Sequence, residues 1–420
     1  MNTAIINATV VTGDEDNTVL FDATIVIRGE RIDAIGPTAS VNTDGCEIVD
    51  ARGGIVHPAL INAHSHLAMT LFRGVADDRN LEAFLARIFP LEAALLDEAA
   101  IRTGISLAIA ESFLAGSVRA LDMYFWPDVA AETAASLGFS LATGPTFIGF
   151  PSPDTPSIAV GLERFEAAPW QWVVAHGTYT MTEEELGLVA DLRRRHAARF
   201  TIHAAETEAE VQDVVEKTGK RPIGVLDDAG LLGPGSVLAH GVWLTDDEVA
   251  LLGATRSAVV HCPLSNMKLA SGICRVTDLL AAGATVALGT DGPASSNDLD
   301  LYQAMRMAAL MAKVHSGDAT ALAASEVLAM ATRHGAVALG VGDSTGVIKV
   351  GFDADLVVLD ASSPALNPVH DPVGAIVYAA SRADVVEVWS RGRRVVERGQ
   401  LVTIDLASVL EAAKAFGARC

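Results

Sequence analysis

The chain has 420 residues, half of them hydrophobic, and carries a net charge of −22 from 52 acids against 30 bases. Such a chain buries a large core, as two or three domains or as an α/β barrel of about 250 residues with a smaller companion. Its acidity works against nucleic acid and anionic membranes as partners; four scattered cysteines without a C-x-x-C pair argue against a disulfide scaffold.

The opening "MNTAIINATVVTGDEDN" has no basic segment followed by a long apolar stretch, so no signal peptide is expected. No apolar run approaches the roughly 18 residues of a transmembrane helix. A cytoplasmic protein is the expectation. Short runs rich in Ile, Val and Thr follow at once, in "TAIINATVVTG" and "ATIVIRGERIDAIG", broken by Gly and Asp. The same texture returns late, in "TGVIKVGFDADLVVLD" and "DVVEVWSRGRRVVERG", before an amphipathic helix "LASVLEAAKAFGA". Two β-rich ends around a different middle predict one small β-sandwich built from both termini. Its expected extent is 1–57 plus 345–420, including the closing helix.

The middle, 58–344, alternates. Eight strand-like runs recur: "ALINAHSHL", "SVRALDMYF", "FSLATGPTFI", "WQWVVAHGTY", "RFTIHAAET", "GSVLAHGVWL", "SAVVHCPLSN" and "ATVALGTDG". Between most of them lie helical patterns such as "TEEELGLVADLRRRHA" and "TDLLAAG". This predicts a (β/α)8 TIM barrel. Six runs end in a residue able to do chemistry: His64 with His66, His176, His203, His240, His261 and Asp291. In such barrels the strand C-termini form the active face.

In a strand, residues i and i+2 share a face, so His64 and His66 in "HPALINAHSHLAMTLFRG" aim two imidazoles at one point. With His203 and Asp291 they suggest a site for one Zn²⁺, or Fe²⁺ as second choice, with a position left for water. Plainer readings exist for each residue. His64 and His66 could cap a strand end, and His203 could be a satisfied core histidine. Asp291 could serve a "TDGP" turn, and Glu206 the first turn of the following helix. His240 and His261 could be packing groups. Cys262 reads as a buried thiol; His57, His196, His315, His334 and His370 read as surface or structural.

The stretches "NAHSHLAMTLFRGVADD", "PLEAALL", "DMYF", "AHGTYT", "TIHAAET", "LAHGVWL", "VVHCPLSNMKLASG" and "LGTDGPASSNDLDLYQAMRMA" together resemble the amidohydrolase superfamily. The nearest resemblance is to its mononuclear branch of 5-methylthioadenosine/S-adenosylhomocysteine deaminases. The fourth barrel run lacks the lysine that binuclear members carboxylate, which favours one metal. The resemblance implies a purine nucleoside or related heterocycle as partner, and it is compatible with a homo-oligomer. It also implies substrate contacts at Glu92 and His176. Glu206 is then the proton shuttle to a ring nitrogen, a second substrate contact. Asp291 takes and passes on a water proton, and His240 steadies the tetrahedral intermediate. The arginines that the family offers after its third strand are absent, with none before Arg164. A carboxylate-bearing substrate such as S-adenosylhomocysteine would lack a partner there. Rival readings are an aminohydrolase or chlorohydrolase of guanine, pterin or s-triazine rings, a binuclear amidase, and a non-catalytic scaffold.

Overall fold

The computed structural model describes residues 2–420. The N-terminal segment forms β1 (Thr3–Val11), β2 (Val19–Arg28), β3 (Arg31–Pro37), β4 (Glu47–Asp50) and β5 (Ile55–Pro58). The middle supplies β6 (Leu60–Ser65), β7 (Ser117–Asp122), β8 (Ser140–Ala142), β9 (Thr146–Phe147) and β10 (Trp172–Gly177). It continues with β11 (Arg199–Ala204), β12 (Ser236–His240), β13 (Ala258–His261) and β14 (Thr285–Leu288). The C-terminal segment adds β15 (Leu356–Leu359), β16 (Val385–Ser390), β17 (Arg393–Glu397) and β18 (Gln400–Leu401).

The two ends of the chain share one nine-stranded sheet, ordered β18-β17-β16-β15-β5-β1-β2-β3 with β4 on β1. The join is the antiparallel pair β5–β15, with Val56 opposite Val358. The sheet encloses its own core of Ile5, Ile25, Ile27, Val56, Leu356 and Trp389, all nearly fully buried. This is the β-sandwich that the Ile/Val-rich ends imply.

All eight central runs become barrel strands, parallel to their neighbours. The third, "FSLATGPTFI", is broken in two. Its first half, β8, pairs with β7 and its second, β9, with β10. The break falls at Gly144–Pro145. A Cβ on Gly144 would lie 2.1 Å from the Trp172 carbonyl oxygen, and proline cannot donate to a ladder. The barrel closes between β6 and the end of β14. Ser65 bridges Asp291, Asp291 N donates to His64 O at 3.1 Å, and the Asn62 amide clamps Thr290 at 2.7 and 3.0 Å.

The acidic clusters start helices. Thr182 with Glu185 and Thr245 with Glu248 make reciprocal capping boxes on Glu183–His196 and Asp246–Thr255. The closing helix Leu406–Gly417 docks on the barrel, with Phe416 edge-on to Phe72 at 5.4 Å. No helix among the described residues is long and apolar enough to cross a membrane.

His57, on the strand that links sandwich to barrel, is structural. It is fully buried, its Nδ1 lies 2.8 Å from Pro58 O, and its Nε2 lies 2.8 Å from the Tyr302 hydroxyl. Burial lowers its pKa to about 4. Tyr302→Phe therefore leaves a buried ring nitrogen unpaired. It should cost about 1–3 kcal/mol, read as a lower denaturant midpoint with unchanged slope.

Candidate active site

Parallel strands bring their C-terminal ends to one rim. There β6 delivers His64 and the residue just past its end is His66, β11 delivers His203, and the turn after β14 Asp291, all four buried. His203 Nε2 lies 3.1 Å from His64 Nε2 and 3.2 Å from His66 Nε2. Asp291 Oδ1 lies 3.3 and 3.0 Å from those same two nitrogens. A transition-metal ion bound at about 2.0–2.1 Å spaces its donors about 2.8–3.4 Å apart, from right-angled to tetrahedral arrangements. The four residues therefore form a metal-binding site, as the strand-end pattern anticipates.

The donors' own chemistry fits an ion. His66 Nδ1 faces Met123 O, and His203 Nδ1 faces His176 O at 2.5 Å. Carbonyl oxygens only accept, so both rings carry hydrogen on Nδ1 and turn Nε2 inward. Burial drives His203 well below the ordinary imidazole value and His64 to about 4, which keeps them neutral. Burial also opposes charge on His66, but the hydrogen bond and charge of Asp291 raise it to about 9 in the metal-free chain. Nitrogen lone pairs this near one another need a cation or a shared proton among them. The Asp291 carboxylate is split between two tasks: Oδ2 accepts from Ser265 and Ser295 at 2.7 and 2.6 Å, leaving Oδ1 for the cluster. His64 Nδ1 has no hydrogen-bond partner among the described residues; its ring is held by packing on His66, His203 and His240.

Glu206 and His240 stand beside these donors. His240 Nε2 lies 3.7 Å from Glu206 Oε2, and both side chains are almost fully buried. Burial pushes Glu206 up to about 7. Burial opposes charge on His240, but Glu206 and Asp291 together raise it above the ordinary imidazole value. Asn266 Oδ1 lies 2.9 Å from His240 Nδ1 and orients the ring. The Glu206 turn is built by Glu210, whose carboxylate accepts from the backbone N–H groups of Ala205 and Glu206 at 3.2 and 2.5 Å. Ala205, His240 and Asp291 all have left-handed φ, at 53°, 74° and 60°. Non-glycine residues adopt that region at a cost, and such strain gathers where side chains are aimed for function.

A cleft opens over the cluster. Its walls are mostly apolar: Met69, Leu81, Phe84, Leu85, Phe89, Phe125 and Leu269. Glu92, His176, Glu206, His240 and Asp291 supply polar groups, and no Lys or Arg among the described residues lines it. Glu92 is buried in the wall, at 1% exposure. Burial raises it to about 7, against the pull of Tyr124 and His66. His176 Nδ1 lies 3.1 Å from Thr180 Oγ1, and its ring meets Phe89 and Tyr179. His261 and Cys262 are buried and do not line the cleft. His196, His315 and His370 are exposed, and His334 Nδ1 lies 3.1 Å from Val286 O. Tyr124, Glu210, Ser265, Asn266 and Ser295 stand inside or beside the motifs read from the sequence, yet composition alone assigns them no role.

Two outcomes follow from this geometry. Purified protein should hold a transition metal, and Asp291→Ala or His203→Ala should reduce its content at least about tenfold by elemental analysis. Glu92→Gln should stabilise the metal-free chain at high pH. The native carboxyl titrates near 7, against 4.5 when free. Folding therefore favours its protonated form, and the wild type loses stability as pH rises from the free value through the native one. Unfolding at pH 8 should show a gain of about 3 kcal/mol for Glu92→Gln, vanishing by about pH 4.

Comparison with known proteins agrees with the geometry. Residues 55–395 match the model described as Amidohydrolase family. The chain is 40% identical over 419 residues to a 5-methylthioadenosine/S-adenosylhomocysteine deaminase of Syntrophobacter fumaroxidans, covering 97% of this chain and 95% of that one. It is 41% identical over 380 residues to a 5'-deoxyadenosine deaminase of Methanopyrus kandleri, covering 87% and 86% of the two chains. Among solved structures, an adenosine deaminase from Xanthomonas campestris with bound zinc superposes with a TM-score of 0.94 at 35% identity, covering 99% and 98%. Sequence match, fold and donor set agree: this chain is a member of the amidohydrolase family.

Proposed function

We propose that the chain is a metal-dependent aminohydrolase that replaces the exocyclic amine of an adenine nucleoside with oxygen and releases ammonia. The observation that carries this reading is Glu206, a buried carboxyl titrating near 7 beside four convergent metal donors. Cleaving an amide or phosphoester needs no group that addresses a ring nitrogen; deamination of a purine does. Relatives bearing deaminase names over most of the chain support the same choice.

One divalent ion per chain, Zn²⁺ before Fe²⁺, would be held by His64, His66, His203 and Asp291. When bound it supplies Lewis acidity that brings the pKa of a water from about 15.7 towards about 7. The protein's own groups do the rest. Protonated Glu206 donates to the ring nitrogen as water adds to the amine-bearing carbon, and recovers a proton from that water. Asp291 Oδ1 takes the remaining water proton and passes it to the departing amine. His240 hydrogen-bonds the incoming oxygen as the carbon becomes tetrahedral. Glu92 binds sugar hydroxyls and His176 contacts the substrate. The division of labour is a catalytic barrel at 58–344 and a composite domain of 1–57 plus 345–420.

The cleft's lack of Lys and Arg bears on substrate choice, because a buried carboxylate needs a cationic partner. Methylthioadenosine, adenosine and 5'-deoxyadenosine should be deaminated better than S-adenosylhomocysteine, and better than guanine, pterins or s-triazines. Ammonia release across that panel, on metal-analysed protein, tests the order. Glu206→Gln should lower turnover about 10²–10⁴-fold at unchanged metal content. Comparable efficiency on S-adenosylhomocysteine sinks the substrate assignment. Full activity of Glu206→Gln sinks the mechanism.

A further inference from the structure

The sugar-binding part of that reading depends on how Glu92 is held. Its carboxylate sits in an apolar wall with one hydrogen-bond partner among the described residues, the Tyr124 hydroxyl at 2.6 Å from Oε1. When Glu92 is ionised its oxygens can only accept, so Tyr124 donates to the carboxylate. Glu92 Oε2 has no protein partner among the described residues, and Glu92 lines the cleft. Tyr124 is itself anchored. Its backbone oxygen accepts from Thr146 Oγ1 at 2.8 Å, and its ring lies 4.9 Å from that of Phe125. The preceding residue, Met123, is the one whose carbonyl receives the His66 ring. One dipeptide at the end of β7 thus touches both the metal cluster and the outer carboxylate.

From this geometry we infer that Tyr124 is a positioning residue: it locks the rotation of Glu92 at a fixed offset from the metal cluster and so makes the site select a vicinal sugar diol. This rests on the nucleoside reading above. A carboxylate free to turn about its last bond offers no fixed pair of acceptors. Pinned through Oε1, it still offers a lone pair on each oxygen, spaced to accept from two neighbouring hydroxyls in a bidentate grip. Because Met123 and Tyr124 are adjacent, the distance from the reacting carbon to the diol is set by backbone.

The test compares adenosine with 2',3'-dideoxyadenosine on wild type, Tyr124→Phe, Glu92→Gln and the double variant, with metal content measured for each. Phenylalanine keeps the ring and removes the donor. The expected result is that wild type prefers adenosine. Tyr124→Phe should then lose about tenfold in kcat/KM on adenosine, mainly through KM. It should lose much less on the dideoxy substrate, and the double variant should be no worse than Glu92→Gln alone. Equal losses on both substrates, an unchanged adenosine KM, additive effects in the double variant, or lost metal in Tyr124→Phe would each overturn the role of Tyr124. A wild type that deaminates the two nucleosides alike overturns diol selection and the role of Tyr124 while the deaminase reading stands; a wild type that turns over neither brings down the nucleoside reading itself. Discrimination kept in full by Tyr124→Phe brings down the Tyr124 role alone.

Discussion

Three imidazole nitrogens and one carboxylate oxygen, linked by four spacings of 3.0–3.3 Å in a buried rim, repel one another or contend for protons unless a cation lies among them. Much of the molecule serves to keep them there. The barrel's closing seam is also its ligand site. His64 and His66 stand on one side of that seam and Asp291 on the other, and the hydrogen bond from Asp291 N to His64 O joins them. The Asn62–Thr290 clamp secures the seam one residue below Asp291. Three of the four cluster residues therefore sit at the seam where the barrel closes.

The next layer fixes orientation. Carbonyls of Met123 and His176, at the ends of β7 and β10, set the direction of His66 and His203. The segment that follows β13 reaches three working groups: Ser265 holds Asp291, Asn266 holds His240, and Ser271 Oγ lies 3.4 Å from Glu206 Oε1. These neighbours let buried acids and imidazoles keep protonation states that water would not give them. The same burial costs stability, because Glu92 and Glu206 are pushed up towards neutrality. Carboxyls removed from water in this way are a recurrent mark of proton-transfer sites.

The barrel was legible in the sequence because each strand carries a dense Val, Ile, Ala or Leu run ending in a polar residue. The cluster was legible because H-x-H shares one face of a strand and the other donors end later strands. The split of the third strand was not, since it depends on Gly144 passing against Trp172, a contact that spacing does not encode. Glu92 looks like a surface glutamate in "LEAFLARIFPLEAAL"; its burial depends on where that helix lies over the rim. Asn266 and Glu210 were invisible for a related reason. A neutral amide 26 residues from its histidine carries no periodic signal, and a glutamate in a first helical turn is ordinary there.

The pairing of β5 with β15 has a consequence for biosynthesis. Val56 meets Val358 across about three hundred intervening residues. At ribosomal rates of about 5–20 residues per second, the early strand spends roughly 15–60 s with that edge unfilled. Its four residues, Ile55, Val56, His57 and Pro58, are all buried in the finished molecule, so the nascent chain leaves them without their native cover throughout the emergence of the barrel.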